Sequence, residues 1–239
     1  MIGRVSFVTM DANDPERLAA FWGAVLGVEI EERSDRGRFV FLERASGTLL
    51  CFQRVPEPMS VPPRLHLDLL GGADQAQVVE RLVGLGARHL DIGQGDVPWV
   101  VLADPEGNPF CVMEDRASYA DTGPIAALPL DSADPDRDAE FWAWLTGWTD
   151  VDGVAPRSLR HPSRRGPLLE LCPESAPKGP VKNRLHLDVR LETGDDADEV
   201  EAQIAGRGGE RLQVDWGELP WRSYTDPSGN EFCVLPAPS

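Results

Sequence analysis

Arg64-Leu65-His66-Leu67-Asp68 returns 120 residues later as Arg184-Leu185-His186-Leu187-Asp188, and that recurrence decides the fold. Asp14-Pro15, Phe21-Trp22 and Gly27 return as Asp134-Pro135, Phe141-Trp142 and Gly147 at the same offset. Pro98-Trp99, Asp104-Pro105-Glu106-Gly107-Asn108 and Phe110-Cys111-Val112 return as Pro220-Trp221, Asp226-Pro227-Ser228-Gly229-Asn230 and Phe232-Cys233-Val234. So many matches in one order identify a tandem duplication. The expected units are residues 1–116 and 125–239, joined by a polar linker over 117–124.

Each copy reads as strand, helix, three strands, twice over. Asp14 is a good N-cap, Pro15 suits the first helical position because its missing N–H has no partner there anyway, and Gly27 suits the left-handed close. Leu18, Phe21, Trp22, Val25 and Leu26 follow at helical spacing; Asp138 replaces Leu18 in the second copy, narrowing that apolar face. Further helices are expected from Asp74 to Leu85 and from the acidic run Asp195 to Glu199, where carboxylates favour a helix N-terminus. Strands are expected over Arg38–Glu43, Leu49–Gln53, Trp99–Ala103 and Phe110–Glu114. The Asp-Pro-x-Gly-Asn segments have turn chemistry.

Alternation puts Leu65, Leu67 and Leu69 on one face of their strand and Arg64, His66 and Asp68 on the other. The leucines should meet the helices, and the imidazole and carboxylate should line a cavity. Likewise Cys51, Gln53, Glu170, Cys172, Cys111, Met113, Cys233 and Leu235 should face inward, with Phe7 and Thr9 of the first strand. Trp99 and Trp221, each following a proline beside a strand start, are placed to stack on a flat ligand. His66, Asp68, Gln53, Trp99, Cys111, His186, Asp188, Trp221 and Cys233 are thus the expected pocket. His89 and His161 have no counterpart in the other copy and are expected at the surface.

The formal charge of −17 disfavours nucleic acid and anionic membranes, whose affinity comes from Lys and Arg. No run of about 20 apolar residues is present to span a bilayer, and no secretory segment opens the chain, so a cytoplasmic protein is expected. The four cysteines form no C-x-x-C pair and are expected to be reduced thiols. No dinucleotide fingerprint, P-loop or G-x-S-x-G motif occurs.

The doubled βαβββ order, the Asp-Pro helix start leading to Phe-Trp, the Leu-His-Leu-Asp strand and the Asp-Pro-x-Gly-Asn-x-Phe turn resemble the glyoxalase-like branch of the vicinal oxygen chelate superfamily. The resemblance covers nearly the whole chain. It implies an α+β fold of two tandem glyoxalase-like domains, each of two βαβββ modules, with curved, mostly antiparallel sheets and helices on their outer face. That superfamily includes glyoxalase I, extradiol dioxygenases, epimerases, fosfomycin-modifying enzymes and metal-free proteins that sequester bleomycin.

By the same resemblance, ligand positions fall on Phe7, Cys51, His66 and Cys111 in the first copy. In the second they fall on Ala127, Glu170, His186 and Cys233. Only the histidines and Glu170 match the usual His, Glu or Gln donors. The expectation is a small-molecule cup in each domain of a monomer or homodimer. One alternative is a metal-dependent lyase, isomerase or dioxygenase using His186 and Glu170, with His66 a further ligand candidate, for Zn, Ni, Fe or Mn. The other is metal-free sequestration of an antibiotic or metabolite.

Overall fold

A computed structural model describes residues 3–33, 39–42, 49–213 and 219–238. The chain forms four βαβββ modules. The first is β1 (Gly3–Ala12), α1 (Pro15–Leu26), β2 (Ile30–Arg33), β3 (Phe39–Leu42) and β4 (Leu49–Arg54). The second is β5 (Asp68–Gly72), α2 (Gln75–Gly84), β6 (Arg88–His89), β7 (Val100–Ala103) and β8 (Pro109–Glu114). A 3-10 turn over Ala117–Tyr119 follows. The third is β9 (Ile125–Ser132), α3 (Pro135–Thr146), β10 (Thr149–Asp150), β11 (Arg157–Arg160) and β12 (Leu168–Pro173). The fourth is β13 (Leu185–Leu191), α4 (Ala197–Gly206), β14 (Glu210–Arg211), β15 (Arg222–Thr225) and β16 (Glu231–Leu235). The end residues of the expected strand Arg38–Glu43 lie outside the described residues.

Local chemistry explains the elements. The Asp14 and Asp134 carboxylates accept from the Arg17 and Arg137 amides, and Gly27 and Gly147 close α1 and α3 at φ 69° and 71°. Asp104 accepts from the amides of Glu106 and Asn108, from the Asn108 side chain, and from Trp22 Nε1 at 3.4 Å, pinning the β7–β8 turn to α1. Asp226, Asn230 and Trp142 repeat the device. Asp138 is fully buried on α3, accepting from the Ser132 and Ser228 hydroxyls, so the narrowed helix face hides a paired carboxylate.

The modules pair across the repeat. Sheet A runs β14-β15-β16-β13-β1-β4-β3-β2 and sheet B runs β10-β11-β12-β9-β5-β8-β7-β6. Modules one and four build sheet A, and modules two and three build sheet B. The centre of each is an antiparallel pair of first strands, β1 with β13 and β9 with β5. The repeat boundaries therefore mark units of sequence, and each sheet draws on both repeats. Helix α1 packs on β1, β3 and β4 while its Trp22 meets Phe110 of sheet B at 5.1 Å between ring centroids; α3 packs on β11 and β12 of sheet B and on β1 of sheet A. One core therefore joins the helix-bearing faces of both sheets, holding Leu65, Leu67, Leu69, Leu185, Leu187 and Val189 as alternation predicts. The opposite faces, here cup A and cup B, turn away from each other.

Two arginines cross the repeat in mirrored fashion. Arg64 pairs with Glu174 at 2.6 Å and donates to Asn230 Oδ1 and to the carbonyls of Asp131 and Ala176. Arg184 pairs with Glu106 at 2.7 Å and donates to the Glu57 carbonyl. The first residue of each Arg-Leu-His-Leu-Asp row thus ties repeat to repeat. Among the described residues no helix is long and apolar enough to cross a membrane.

Candidate functional site

Cup A gathers side chains from both repeats because β1 lies between β13 and β4. Thr9 is register partner to His186 on one side and to Cys51 on the other, and Asp188 stands beside Cys233 on β16. The Thr9 hydroxyl donates to Asp188 Oδ2 at 2.9 Å, and His186 Nε2 lies 3.3 Å from Asp188 Oδ1. The donor atoms of His186, Asp188 and Cys233 all lie within 4.8 Å of one another, and all three residues are buried. Ser223 Oγ sits 3.5 Å from Cys233 Sγ. Burial opposes a charged His186, but the Cys233 sulfur and the Asp188 carboxylate outweigh it and raise the pKa. His186 Nδ1 and Asp188 Oδ1 are buried without a hydrogen bond.

A groove of about 1060 Å³ opens at the end of this cup, lined among others by Asp11, Gln53, Glu57, Lys182, Arg184 and Trp221. Lys182 closes on Asp11 at 2.5 Å. Asp11 is two residues along β1 from Thr9, about 7 Å at strand rise, so the groove begins about that far along the strand from the His186 cluster, whose own residues do not line it. Gln53 and Trp221, both named as pocket residues from the sequence, line this groove.

Cup B has the same plan and a different filling. His66 Nε2 is 3.2 Å from Asp68 Oδ1, and His66, Asp68 and Cys111 form the second donor group. The His66 side chain is 30% exposed where that of His186 is 5% exposed. Its pKa is raised: burial pulls it down, and the Asp68 carboxylate more than compensates. Glu170 faces into this cup, its carboxyl pushed up to about 7, first by burial and further by Asp68, against the Val154 amide and Arg116, which lower it. Burial likewise raises the thiols of Cys51 and Cys111.

The middle of cup B is occupied. Tyr119 of the 3-10 turn is 1% exposed, packed with Val101, Cys111, Met113, Ala127 and Leu168. Arg116 lies 5.9 Å from the centroids of both Trp99 and Tyr119, placing Trp99 at the edge of this packing.

These positions correct one pairing. Glu170 belongs to sheet B and acts on His66, whereas His186 belongs to sheet A, so the two do not form one site. The physical reason is the exchange of modules between repeats. The ligand positions sort as Phe7, Cys51, His186 and Cys233 in cup A, and as Ala127, Glu170, His66 and Cys111 in cup B. Sequence reasoning did not single out Thr9 as a partner of Asp188, nor Arg116 or Tyr119 at all. The signal for Tyr119 was present: it is one of only two tyrosines, and it stands in a polar linker. His89 and His161 are exposed, and all four cysteines are free thiols.

The sequence profile of the glyoxalase-like domain matches residues 7–113 and again 127–235. Solved structures with the same fold include glyoxalase I from Zea mays, 16% identical, covering 98% of this chain and 92% of its own, with a TM-score of 0.70. A point mutant of that enzyme covers the same shares at 16% identity and 0.72. A putative dioxygenase from Bacillus subtilis subsp. subtilis str. 168 is 16% identical, covers 100% of this chain and 86% of its own, and scores 0.63. No curated protein matches the sequence. At such identities the likeness carries the fold alone.

Proposed function

Because the chain belongs to the glyoxalase-like domain family, as a tandem member of the vicinal oxygen chelate superfamily, we propose that it binds a small organic molecule in cup A and acts on one of its oxygens through His186, Asp188 and Cys233. One observation carries this reading: the buried three-donor cluster lies about 7 Å along β1 from a groove of ligand size, while cup B is filled by its own chain. Trp221, Val61 and Val181 supply apolar surface along the groove, and Gln53 a hydrogen-bonding amide.

The donor set suits a borderline divalent ion. Imidazole, carboxylate and thiol are the ligand types of zinc, and three protein ligands leave a fourth position open. Asp188 Oδ1 is buried with His186 Nε2 at 3.3 Å as its close partner, and the buried His186 Nδ1 has no hydrogen bond. His186, Asp188 and Cys233 would hold the ion, and Thr9 would orient the Asp188 carboxylate. Such an ion, when bound, polarises a carbonyl or enolate oxygen. The thiol favours this lyase or isomerase type of chemistry over non-haem iron dioxygenation, which uses two histidines and a carboxylate.

Metal analysis of protein purified without a histidine tag tests the reading. About one equivalent of zinc per chain is expected, lost in His186→Ala and Cys233→Ser and retained in Glu170→Gln. Retention in His186→Ala removes cup A as the site. Metal-free protein that gains stability on titration with an aromatic carbonyl compound would favour sequestration. The His186–Asp188 pair and the Thr9 bond, which exist without an ion, support that second reading.

A further inference from the structure

We infer that the turn of the β11–β12 hairpin, with the connector residues Ala120 and Asp121 beside it, binds a phosphate group, and that the guanidinium of Arg160 is its centre. The sequence of the hairpin is the first sign. From Gly153 to Leu169 the chain carries Arg157, Arg160, His161, Arg164 and Arg165 and no carboxylate, although acids outnumber lysine and arginine 40 to 23 overall. Arg157 is neutralised by Asp136 and Asp150. Arg160, Arg164 and Arg165 have no ion pair among the described residues.

Arg160 is the residue that packing alone does not explain. Arginine is almost never sealed inside a protein without a counter-charge, because taking a guanidinium out of water is costly. Of the two described arginines less than a tenth exposed, Arg184 at 6% meets Glu106 at 2.7 Å, whereas Arg160 at 4% meets only neutral carbonyls. Its Nε donates to Gly166 and its Nη2 to Ala120, each at 3.0 Å, and Nη1 donates to nothing among the described residues. Two carbonyls fix the guanidinium in place and leave its charge uncancelled. Burial and Arg164 both act to lower the pKa of Arg160, and Asp121 opposes them without forming an ion pair.

The backbone holds these charges in range of one another. Asp121 and Arg164, at φ 60° and 56°, are the only non-glycine residues of the described chain in the left-handed region, and both act on Arg160. Such backbone gathers where a ligand is clamped. Two guanidiniums in mutual range repel each other and together attract an anion. A tetrahedral oxyanion has oxygens enough to accept from Arg160 Nη1 and from the fork of Arg164 at once, which a chloride ion does not. Neither Glu170 nor His66 acts on Arg160, so the site stands apart from the donor groups of cup B. Ala120 directly follows Tyr119, so an anion that fixes Arg160 also steadies the connector that carries that ring.

Thermal melts of the full chain in inorganic phosphate and in sodium chloride test the inference. Ionic strength is matched, because salt of any kind screens the self-repulsion of so acidic a chain. At about 10 mM phosphate the parent should melt about 3–6 °C higher than in chloride, as expected of a site with a Kd of about 1 mM on a chain of this size. Arg164→Glu, a change on an exposed turn, should fold as the parent does and lose most of that shift. Arg160→Gln should lose all of it, and Arg88→Ala, at an exposed arginine on β6, should keep it. A parent shift below about 1 °C overturns the inference. So does an equal shift in the parent and Arg164→Glu, or an equal loss in Arg88→Ala. If Arg160→Gln does not accumulate folded, the phosphorus NMR line of inorganic phosphate decides: it should broaden with the parent and stay sharp with Arg164→Glu, and equal lines overturn the inference as well. Phenyl phosphate at the same concentration separates the two sources of the group. A larger shift than that of phosphate assigns the site to an ester, and an equal or smaller one to the free ion.

Discussion

Arg64→Ala lowers the free energy of unfolding by about 3–5 kcal/mol, the loss expected when one partner of a buried ion pair is removed and the other is left behind. Its guanidinium and the Glu174 carboxylate are 10% and 14% exposed, and the 2.6 Å contact is joined by bonds to Asn230, Asp131 and Ala176. All four partners belong to the second repeat. Asp131, Glu174 and Ala176 lie on or just beyond module three, while Asn230 lies in the β15–β16 turn of sheet A, so the side chain clamps the two sheets as well as the two repeats. Arg64→Lys should recover less than half of the loss, because one ammonium cannot reproduce the planar fork. Urea unfolding of the three proteins measures this, and a loss below about 1 kcal/mol for Arg64→Ala would count against the clamp. Arg184→Ala is expected to behave in parallel through Glu106 and the Glu57 carbonyl.

Glu170→Gln has the opposite sign and depends on pH. In the fold the carboxyl titrates at about 7 against its ordinary 4.5, mainly because burial disfavours the charge. An acid whose pKa is raised by folding costs nothing below its unfolded pKa, where both states are protonated. The penalty grows from there up to the folded pKa, then stays constant. Here that window is pH 4.5 to 7, and its full extent is about 3–4 kcal/mol. The amide carries no charge at any pH. Glu170→Gln should therefore stabilise the protein at pH 8.5 by about 2 kcal/mol more than at pH 5, read from paired urea titrations. An equal effect at both values would mean that folding does not raise the pKa of Glu170.

Where side chains are described, the buried face was legible from residue order, because a half-buried extended segment cannot hide a period of two. Leu65, Leu67 and Leu69 lie in the core, and Cys111 and Met113 lie on the cup side. The helix starts and the Asp-Pro-x-Gly-Asn turns were legible for the same local reason: their hydrogen bonds close within a few residues. The choice of partner strand was not. With Leu-His-Leu-Asp present in both repeats, β1 meets the same pattern in either one, and alternation does not distinguish β5 from β13. What marks the choice is long-range contact, such as Arg64 with Glu174 and Arg184 with Glu106, which no spacing rule exposes. Glu170 and His186 were joined in sequence reasoning for that reason, and only the strand order separates them. Tyr119 escaped for another: a ring inside a polar connector reads as linker until the cup that receives it is known.

The order of modules also sets a timetable for synthesis. Sheet B uses residues 68–173, so its strands emerge from the ribosome one after another and can pair at once. Sheet A uses residues 3–54 and 185–235, the earliest and latest parts of the chain. At 5–20 residues per second the first module waits on the order of ten seconds for its partner, with the edge of β1 and the cup-facing Thr9 and Cys51 uncovered. A nascent chain halted just after β12 should therefore resist protease across modules two and three while module one is still cut.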